Sequence, residues 1–335
     1  MKTILLLFGG ESPEHEVSIM SAKNIVDALS PQKYHVVLGY IDTDGRLWQV
    51  NEVKLHDNTD DFEEIVPVLG DKKIIVGSAE THIDVLFPVL HGRNGEDGSV
   101  QALAGLMHVQ LVGCGIAASS ICIDKVLTKQ LVASRDVPVV SYITRARLDE
   151  TLDYAQVVEQ LGSPVFVKPA RLGSSIGVSK VSNSDEFTSA LSMALDLDDT
   201  VLIEQAIDGR ELEVAVHGNE DPEVTVVGEI VPDRDFYNYE SKYEDTSESL
   251  AVIPAKINNE VSEQIRAYAL QVYKTLGCSG LARVDFFYDE ATGKIYLNEV
   301  NTLPGFTNIS MYPKLCQASG MSYEALVDKL IELAR

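Results

Sequence analysis

Residues 281–307 read LARVDFFYDEATGKIYLNEVNTLPGFT: two runs of alternating residues on either side of a polar segment containing Gly293. The pattern predicts a β-hairpin. With a five-residue connection from Glu290 to Lys294, one of the common hairpin lengths, Asp289 faces Ile295, Asp285 faces Glu299 and Arg283 faces Asn301. Side chains alternate across a strand, so Arg283, Asp285, Glu299 and Asn301 share a face. Two carboxylates and a carboxamide there form a hard-oxygen set suited to magnesium, which takes few protein oxygens, keeps some waters and usually carries phosphates. Arg283 beside them can hold an anion or a developing oxyanion. A solvated strand face with a cross-strand ion pair has the same pattern, so the hairpin alone leaves both readings open.

The remaining composition narrows the field. The 335 residues suit two or three domains, at ~100–200 residues each. With 45% hydrophobic and 23% charged residues, a packed core is expected and disorder is not. The net charge of −24 weighs against nucleic acid and anionic membrane surfaces as partners. An anionic small substrate is still compatible, through a few locally focused lysines. Cys114, Cys122, Cys278 and Cys316 are scattered without a CxxC, as expected of buried thiols in a reducing compartment. The apolar run 4–8 is too short for a signal h-region or a membrane span, and a cytoplasmic location is expected.

Along the chain, apolar runs at 2–8, 34–41 and 85–90 alternate with helical patterns, one carrying Ala22, Ile25, Val26 and Leu29, the other running from Ser99, expected as its cap, to Met107. Such alternation predicts a parallel α/β unit with ligands beyond the strands' carboxyl ends, where the glycine-rich turns after Phe8 and Leu90 lie. Residues 45–80 show no clear period. A second unit is expected from about 120. It has a helix to about 134 with Lys125 and Lys129 on one face, a helix at 154–161, strands at 165–168 and 178–181, and a helix at 184–195 capped by Ser184. A third has strands at 201–203, 211–217 and 224–231, a helix at 258–276, the hairpin and a helix at 323–334. Stretch 233–250 is aperiodic and rich in aromatic and acidic residues, and a loop of that length inside a compact domain reads as a lid.

Several motifs carry chemistry. KPARLGSSIG at 168–177 is a strand, a Gly/Ser loop and a strand. Its freed amides can cradle phosphate with Lys168 as a point charge, although an ordinary hairpin turn fits it too. It also matches the G-x-S-x-G elbow, but the elbow must lead into a helix and Val178–Val181 is strand-like. No Walker A and no HExxH occurs, and zinc is not expected. Glu16, after a glycine turn near a helix start, either complements the helix dipole or binds a substrate ammonium. His91, Lys242 and Tyr243 read either as ordinary loop residues or as ligand contacts, while Phe236, Tyr237, Tyr239 and Tyr243 together favour a lid that packs on something.

Taken in order, FGGESPEHEVS at 8–18, HGRNGEDG at 91–98, DK at 124–125, VKPARLGSSIG at 167–177, IEQ at 203–205, FYNYESKY at 236–243, ARVDFF at 282–287 and NEVNTLPGFT at 298–307 resemble the D-alanine–D-alanine ligases of the ATP-grasp superfamily. The likeness covers essentially the whole chain, and its strength lies in eight motifs in sequence. It implies a mixed α/β and α+β ATP-grasp fold with an N-terminal Rossmann-like (pre-ATP-grasp) parallel-sheet domain. The implied domains are 1–120 for substrate binding, 121–202 for the central ATP-grasp part, and 203–335 for the C-terminal part with lid 233–250 and the metal site.

The resemblance also implies roles. Lys125, Lys168 and Lys242 would contact ATP phosphates, with Ser175 in the phosphate loop. Glu204, Gln205, Ala206 and Ile207 would form the adenine hinge and Glu211 would meet the ribose, with Phe287 and Asn298 also at the nucleotide. Asp285, Glu299 and Asn301 would hold two Mg2+ ions, Mn2+ being a substitute. Glu16 would bind the first D-alanine's ammonium in a Glu16–Ser174–Tyr243 set that closes the lid, with His91 nearby. Arg283 and the Gly305 amide would form the oxyanion site, and Ser310 and Met311 would lie near the second D-alanine's carboxylate. The implied reaction makes D-alanyl-D-alanine for peptidoglycan precursors through an acyl phosphate, in a homodimer. Members making D-alanyl-D-serine or D-alanyl-D-lactate are the alternative; Tyr243 favours the dipeptide over the ester. A nucleotide-binding sensor lacking the chemistry is disfavoured by the intact Lys168, Arg283, Asp285, Glu299 and Asn301.

Overall fold

The computed structural model describes residues 1–56, 58–150, 152–231 and 250–335. The expected lid, including Phe236, Tyr237, Tyr239, Lys242 and Tyr243, lies outside the described residues except for position 250.

Among the described residues the strands form three sheets. The N-terminal sheet has a parallel centre, Lys2–Gly9 between Tyr34–Ile41 and Val85–Val89, with Gln110–Leu111 outside. Lys2–Gly9 reads as a continuous apolar run because both of its faces are covered. Ile4, Leu6 and Phe8 pack in one core with helices His15–Ala28 and Tyr323–Glu332, and Leu5 and Leu7 in another with helix Ser99–Met107. The segment without a clear period supplies four short antiparallel strands, Leu47–Val50, Glu63–Val68, Lys73–Val76 and Ala79–His82, which extend this sheet.

The middle sheet is antiparallel, in the order Ser179–Val181, Val165–Pro169, Thr200–Gln205, Tyr142–Ala146. Val165, Val167, Val201 and Ile203 share a core with Phe187, Ala190 and Ala194 of helix Ser184–Leu197. Lys168 and Glu204 are one residue out of phase and stand on the other face. Thr200–Gln205 belongs whole to this sheet, so the boundary expected at 202/203 falls inside a strand. The third sheet runs Leu250–Val252, Gly228–Val231, Arg210–Gly218, Gly280–Asp289, Lys294–Asn301, with Glu223–Val224 beside Arg210–Gly218. The single strand expected over 224–231 is therefore two. Ala282, Val284, Phe286 and Tyr288 pack with Ile265, Ala269, Val272 and Tyr273 of helix Asn259–Thr275, which leaves Arg283 and Asp285 on the opposite face.

Three further kinds of local expectation are corrected. Ser99 and Ser184 are first helical residues and not caps. Gly98 caps the former at φ 103°, a left-handed value that favours glycine, and the Asn183 side chain accepts the Glu186 amide at 3.0 Å. The helix expected from 120 to 134 is two, Ile116–Ile123 and Lys125–Ala133. Asp124 is extended between them, and its Oδ1 accepts the Val126 and Leu127 amides at 3.0 Å. Strand Tyr142–Ala146 and helix Met311–Ala318 were not expected.

The hairpin carries the third correction. Asp289 pairs with Lys294 and Tyr288 with Ile295, one residue tighter than expected. Between Asp285 and Phe286 the register shifts, and Asn298 is the extra residue, as in a β-bulge. Beyond it the expected pairs Asp285–Glu299 and Arg283–Asn301 form. At the foot of this hairpin Gly280 has φ +69°, and a Cβ there would lie 2.9 Å from the Gly113 Cα. The segment just past the first sheet's edge strand thus meets the start of strand Gly280–Asp289 backbone to backbone. All four cysteines are free and buried.

Candidate active site

On the hairpin face, Arg283 Nε and Nη2 donate to Asp285 Oδ1 and Oδ2 at 2.8 and 2.7 Å, and Asn301 Nδ2 donates to Asp285 Oδ2 at 2.9 Å. Glu213 on the neighbouring strand pairs directly with Asp285 in the ladder, and its Oε2 lies 3.0 Å from Arg283 Nε. Burial works against the Arg283 charge, but Asp285 and Glu213 outweigh it and hold its pKa well above the usual range. Sequence reasoning passed over Glu213. Its signal was the alternation Glu211, Glu213 along a strand that pairs with the hairpin.

Among the described residues no group of three or more His, Cys, Asp or Glu converges as a metal site. The hairpin set nevertheless fits a hard divalent cation of the magnesium type: Asp285 and Glu299 share a face with Asn301, and Asp285 is 1% exposed. A cation that keeps waters and phosphate oxygens needs no more protein ligands than these.

One cavity gathers Glu14, His91, Lys125, Ser174, Arg283, Glu299, Asn301 and Gly305. Lys125 is buried; its Nζ donates to the Leu172 carbonyl at 2.7 Å and lies 3.5 Å from Glu299 Oε2. Burial, opposed by Glu299 and reinforced by Lys168, lowers its pKa. Glu16 is exposed on helix His15–Ala28 and does not line this cavity. Glu14, which precedes the helix, does. The first-turn acid that suits the dipole faces solvent, and the acid in the non-helical entry, at φ −85° and ψ 20°, faces inward.

Loops from the first sheet frame the cavity's far wall. Glu96 is buried; Oε1 accepts the Leu303 amide at 2.9 Å and Oε2 the Gly92 amide at 3.0 Å. His91 Nδ1 lies 2.9 Å from the Leu303 carbonyl oxygen. Ser21 Oγ accepts the Phe306 amide, and Asn24 Nδ2 donates to the Phe306 carbonyl, each at 3.1 Å. Ser310 stands behind Gly305, where its Oγ would be 2.7 Å from a Gly305 Cβ, and Met311 is buried in the first core. Neither lines the cavity.

Behind Lys125 lies a second charged group. Glu204 is 3% exposed; Lys168 Nζ contacts Oε2 and Lys129 Nζ lies 2.6 Å from Oε1. Burial would raise the Glu204 pKa, but the two lysines overcome it and bring it down to about 2. Ser174 and Ser175 have φ of 54° and 59°, values uncommon for non-glycine residues. The loop holding them is anchored by Arg171, whose backbone amide and Nε donate to Asp198 at 2.9 and 3.2 Å. Gln205 is exposed, the Ala206 amide reaches the Pro164 carbonyl at 3.2 Å, and Ile207 is half-buried. Glu211 pairs with Phe287 in the ladder, and Asn298 is the bulge residue. Lys168, Ser175, Glu204 to Ile207, Glu211, Phe287 and Asn298 do not line the cavity.

The sequence matches the family descriptions "D-ala D-ala ligase N-terminus" over residues 3–114 and "D-ala D-ala ligase C-terminus" over 131–332. It is 44% identical over 345 aligned positions to D-alanine--D-alanine ligase A of Salmonella typhimurium strain LT2, covering 98% of this chain and 94% of the relative. Identity is also 44% over 345 positions to the D-alanine--D-alanine ligase of Thermoanaerobacter sp. strain X514, covering 99% and 96%. Among solved structures, the D-alanine-D-alanine ligase from Coxiella burnetii superposes with TM-score 0.89 at 36% identity, covering 99% of this chain and 93% of that one. VanG D-Ala:D-Ser ligase from Enterococcus faecalis superposes with TM-score 0.89 at 34% identity, covering 99% of each.

Proposed function

This chain belongs to the D-alanine–D-alanine ligase family, and we propose that its central cavity joins two D-alanines into D-alanyl-D-alanine for peptidoglycan precursors, converting ATP to ADP and phosphate. The observation that carries the reading is the meeting of Glu14 and His91 from the first sheet with Lys125, Arg283, Glu299 and Asn301 in one cavity.

The first D-alanine's carboxylate attacks the ATP γ-phosphate and gives an acyl phosphate; the second D-alanine's amine then attacks that carbonyl and phosphate leaves. Such chemistry needs positioning and charge neutralisation more than a protein nucleophile. Asp285, Glu299 and Asn301 would hold magnesium, two ions on the family's pattern with manganese as a substitute, and bound metal would neutralise the phosphoryl oxygens. Lys125 and Lys168 hold phosphates. Arg283 and the Gly305 amide stabilise the tetrahedral oxyanion. Ammonium binding, expected of Glu16, passes to Glu14 on the strength of its place in the cavity, with Ser174 beside it. The first sheet forms the D-alanine-binding part, and the middle and third sheets the two halves of the nucleotide clamp, with Glu204 to Ile207 and Glu211 at the adenosine. Lys242 and Tyr243 join by resemblance alone. No helix among the described residues is long and apolar enough to cross a membrane; a cytoplasmic homodimer is the expected form.

ADP release coupled to a detector, with D-alanine, ATP and Mg2+, tests the activity; no release at any D-alanine concentration overturns it. Both the D-Ala and the D-Ser ligase superpose with TM-score 0.89, so the fold does not choose the second substrate. Product analysis with D-alanine, D-serine and D-lactate across pH does.

A further inference from the structure

Helix Lys125–Ala133 presents two lysines one turn apart to different partners. Lys125 serves the hairpin. Lys129 turns to the middle sheet, is 0% exposed, and sets its ammonium 2.6 Å from Glu204 Oε1 while Lys168 takes the other oxygen. Lysines are almost never fully buried unless paired. Lys129 has no place in the reaction described so far, and it does not line the cavity.

The charge count gives it one. If Lys168 were the only partner of Glu204, moving its ammonium to a phosphate would strand a buried carboxylate, which is costly. That cost would come out of nucleotide affinity. With Lys129 in place, one cation stays on the carboxylate while the other is released.

We infer that Lys129 is a positioning residue for nucleotide binding: it keeps Glu204 charged and in place, so that Lys168 is free to take a phosphate oxygen of ATP. The inference rests on the assignment of Lys168 to the nucleotide phosphates.

The test uses the full chain with Mg2+, titrating ADP by calorimetry and measuring steady-state kinetics for Lys129→Met, Lys129→Arg, Glu204→Gln and the double variant K129M/E204Q. Lys129→Met should raise the ADP Kd and ATP KM by about tenfold or more, as nucleotide binding must then bear part of the cost of an uncompensated buried carboxylate. Saturated kcat should stay within about twofold, because binding and not the transition state is affected. Lys129→Arg should restore most of the affinity. In the Glu204→Gln background the same change should add little, because the carboxylate it serves is gone. An equal loss in both backgrounds, or no loss in either, overturns the inference. Should Lys129→Met fail to fold, the double variant, which leaves no lone carboxylate, decides: ADP affinity equal to that of Glu204→Gln supports it, and a further tenfold loss, to within about twofold, overturns it. Lys168→Met reports separately on the underlying assignment. If it leaves ADP affinity unchanged, that assignment fails; if it weakens ADP while Lys129→Met is silent, only the role of Lys129 falls.

Discussion

Glu96 Oε1 accepts the backbone amide of Leu303 at 2.9 Å across 207 residues of sequence. With His91 on the Leu303 carbonyl, and Ser21 and Asn24 of helix His15–Ala28 on the two backbone groups of Phe306, a loop and a helix of the N-terminal part hold both residues that flank Pro304 and Gly305. The Gly305 amide is therefore aimed by side chains that belong to the opposite end of the chain.

Glu96→Gln tests this grip. Both oxygens of Glu96 accept backbone amides, so a carboxamide must turn an N–H group against one of them. Leaving one buried amide unpaired costs ~1–3 kcal/mol. The expected result is a fall in kcat of about tenfold to a hundredfold with ATP KM nearly unchanged, read from steady-state kinetics.

Arg283→Ala should lower kcat by about 10²–10³ if the guanidinium stabilises developing charge, and ADP binding by calorimetry should change far less. Equal losses of both would favour a protein that only binds nucleotide. Arg283→Lys is the folding control, since it keeps a cation between Asp285 and Glu213.

Glu14 and Glu16 can be separated directly. Glu14→Gln should reduce kcat/KM for D-alanine by about tenfold or more through loss of a charge-paired ammonium contact. Glu16→Gln, on the exposed helix face, should stay within about twofold. The opposite ranking would return the ammonium to Glu16.

The buried Glu204 carboxylate makes stability depend on acid. Its folded pKa of about 2 lies below the ordinary 4.5. The unfolded chain therefore binds the proton first, and the stabilisation, complete above about 4.5, is lost as pH falls toward about 2. Glu204→Gln should be less stable at neutral pH, with a slope of stability against pH in that window shallower by up to ~1.4 kcal/mol per pH unit. Urea titrations at several pH values measure it, and an unchanged slope would place the acid sensitivity elsewhere.

Gly280→Ala should destabilise the fold by roughly 1–3 kcal/mol. The new Cβ would meet the Gly113 backbone at 2.9 Å while the residue holds a positive φ. Ala at Gly293, also at positive φ but with open space around it, is the comparison that isolates the contact from the backbone strain.

Much of this was legible because period-two alternation survives burial on one side. The hairpin announced itself through Arg283, Asp285, Glu299 and Asn301. The turn is one residue tighter than the alternation predicts, since the bulge at Asn298 carries no glycine and leaves no mark in the pattern. Glu16 carries the ammonium role by resemblance alone, and the sequence does not point to Glu14, whose place in the cavity depends on the chain's non-helical entry into the helix. The break at Asp124 carries no Gly or Pro, so nothing in the local sequence marks it. Lys129 was placed on the correct helix face, but its full burial depends on Glu204, which reaches it from another sheet. Strands 47–82 are short and polar on one side, too brief to establish a period.

The unpaired Asn298 works as a parity device. On the turn side of it the two strands are in one phase, and on the cavity side in the other. Were it instead taken into the regular ladder, Asp285 would face Asn298, and Glu299 and Asn301 would fall opposite Val284 and Ala282 on the helix-packed side of the sheet. A single supernumerary backbone unit, contributing no ligand atom of its own, thus decides whether three oxygens converge or are divided between oil and water.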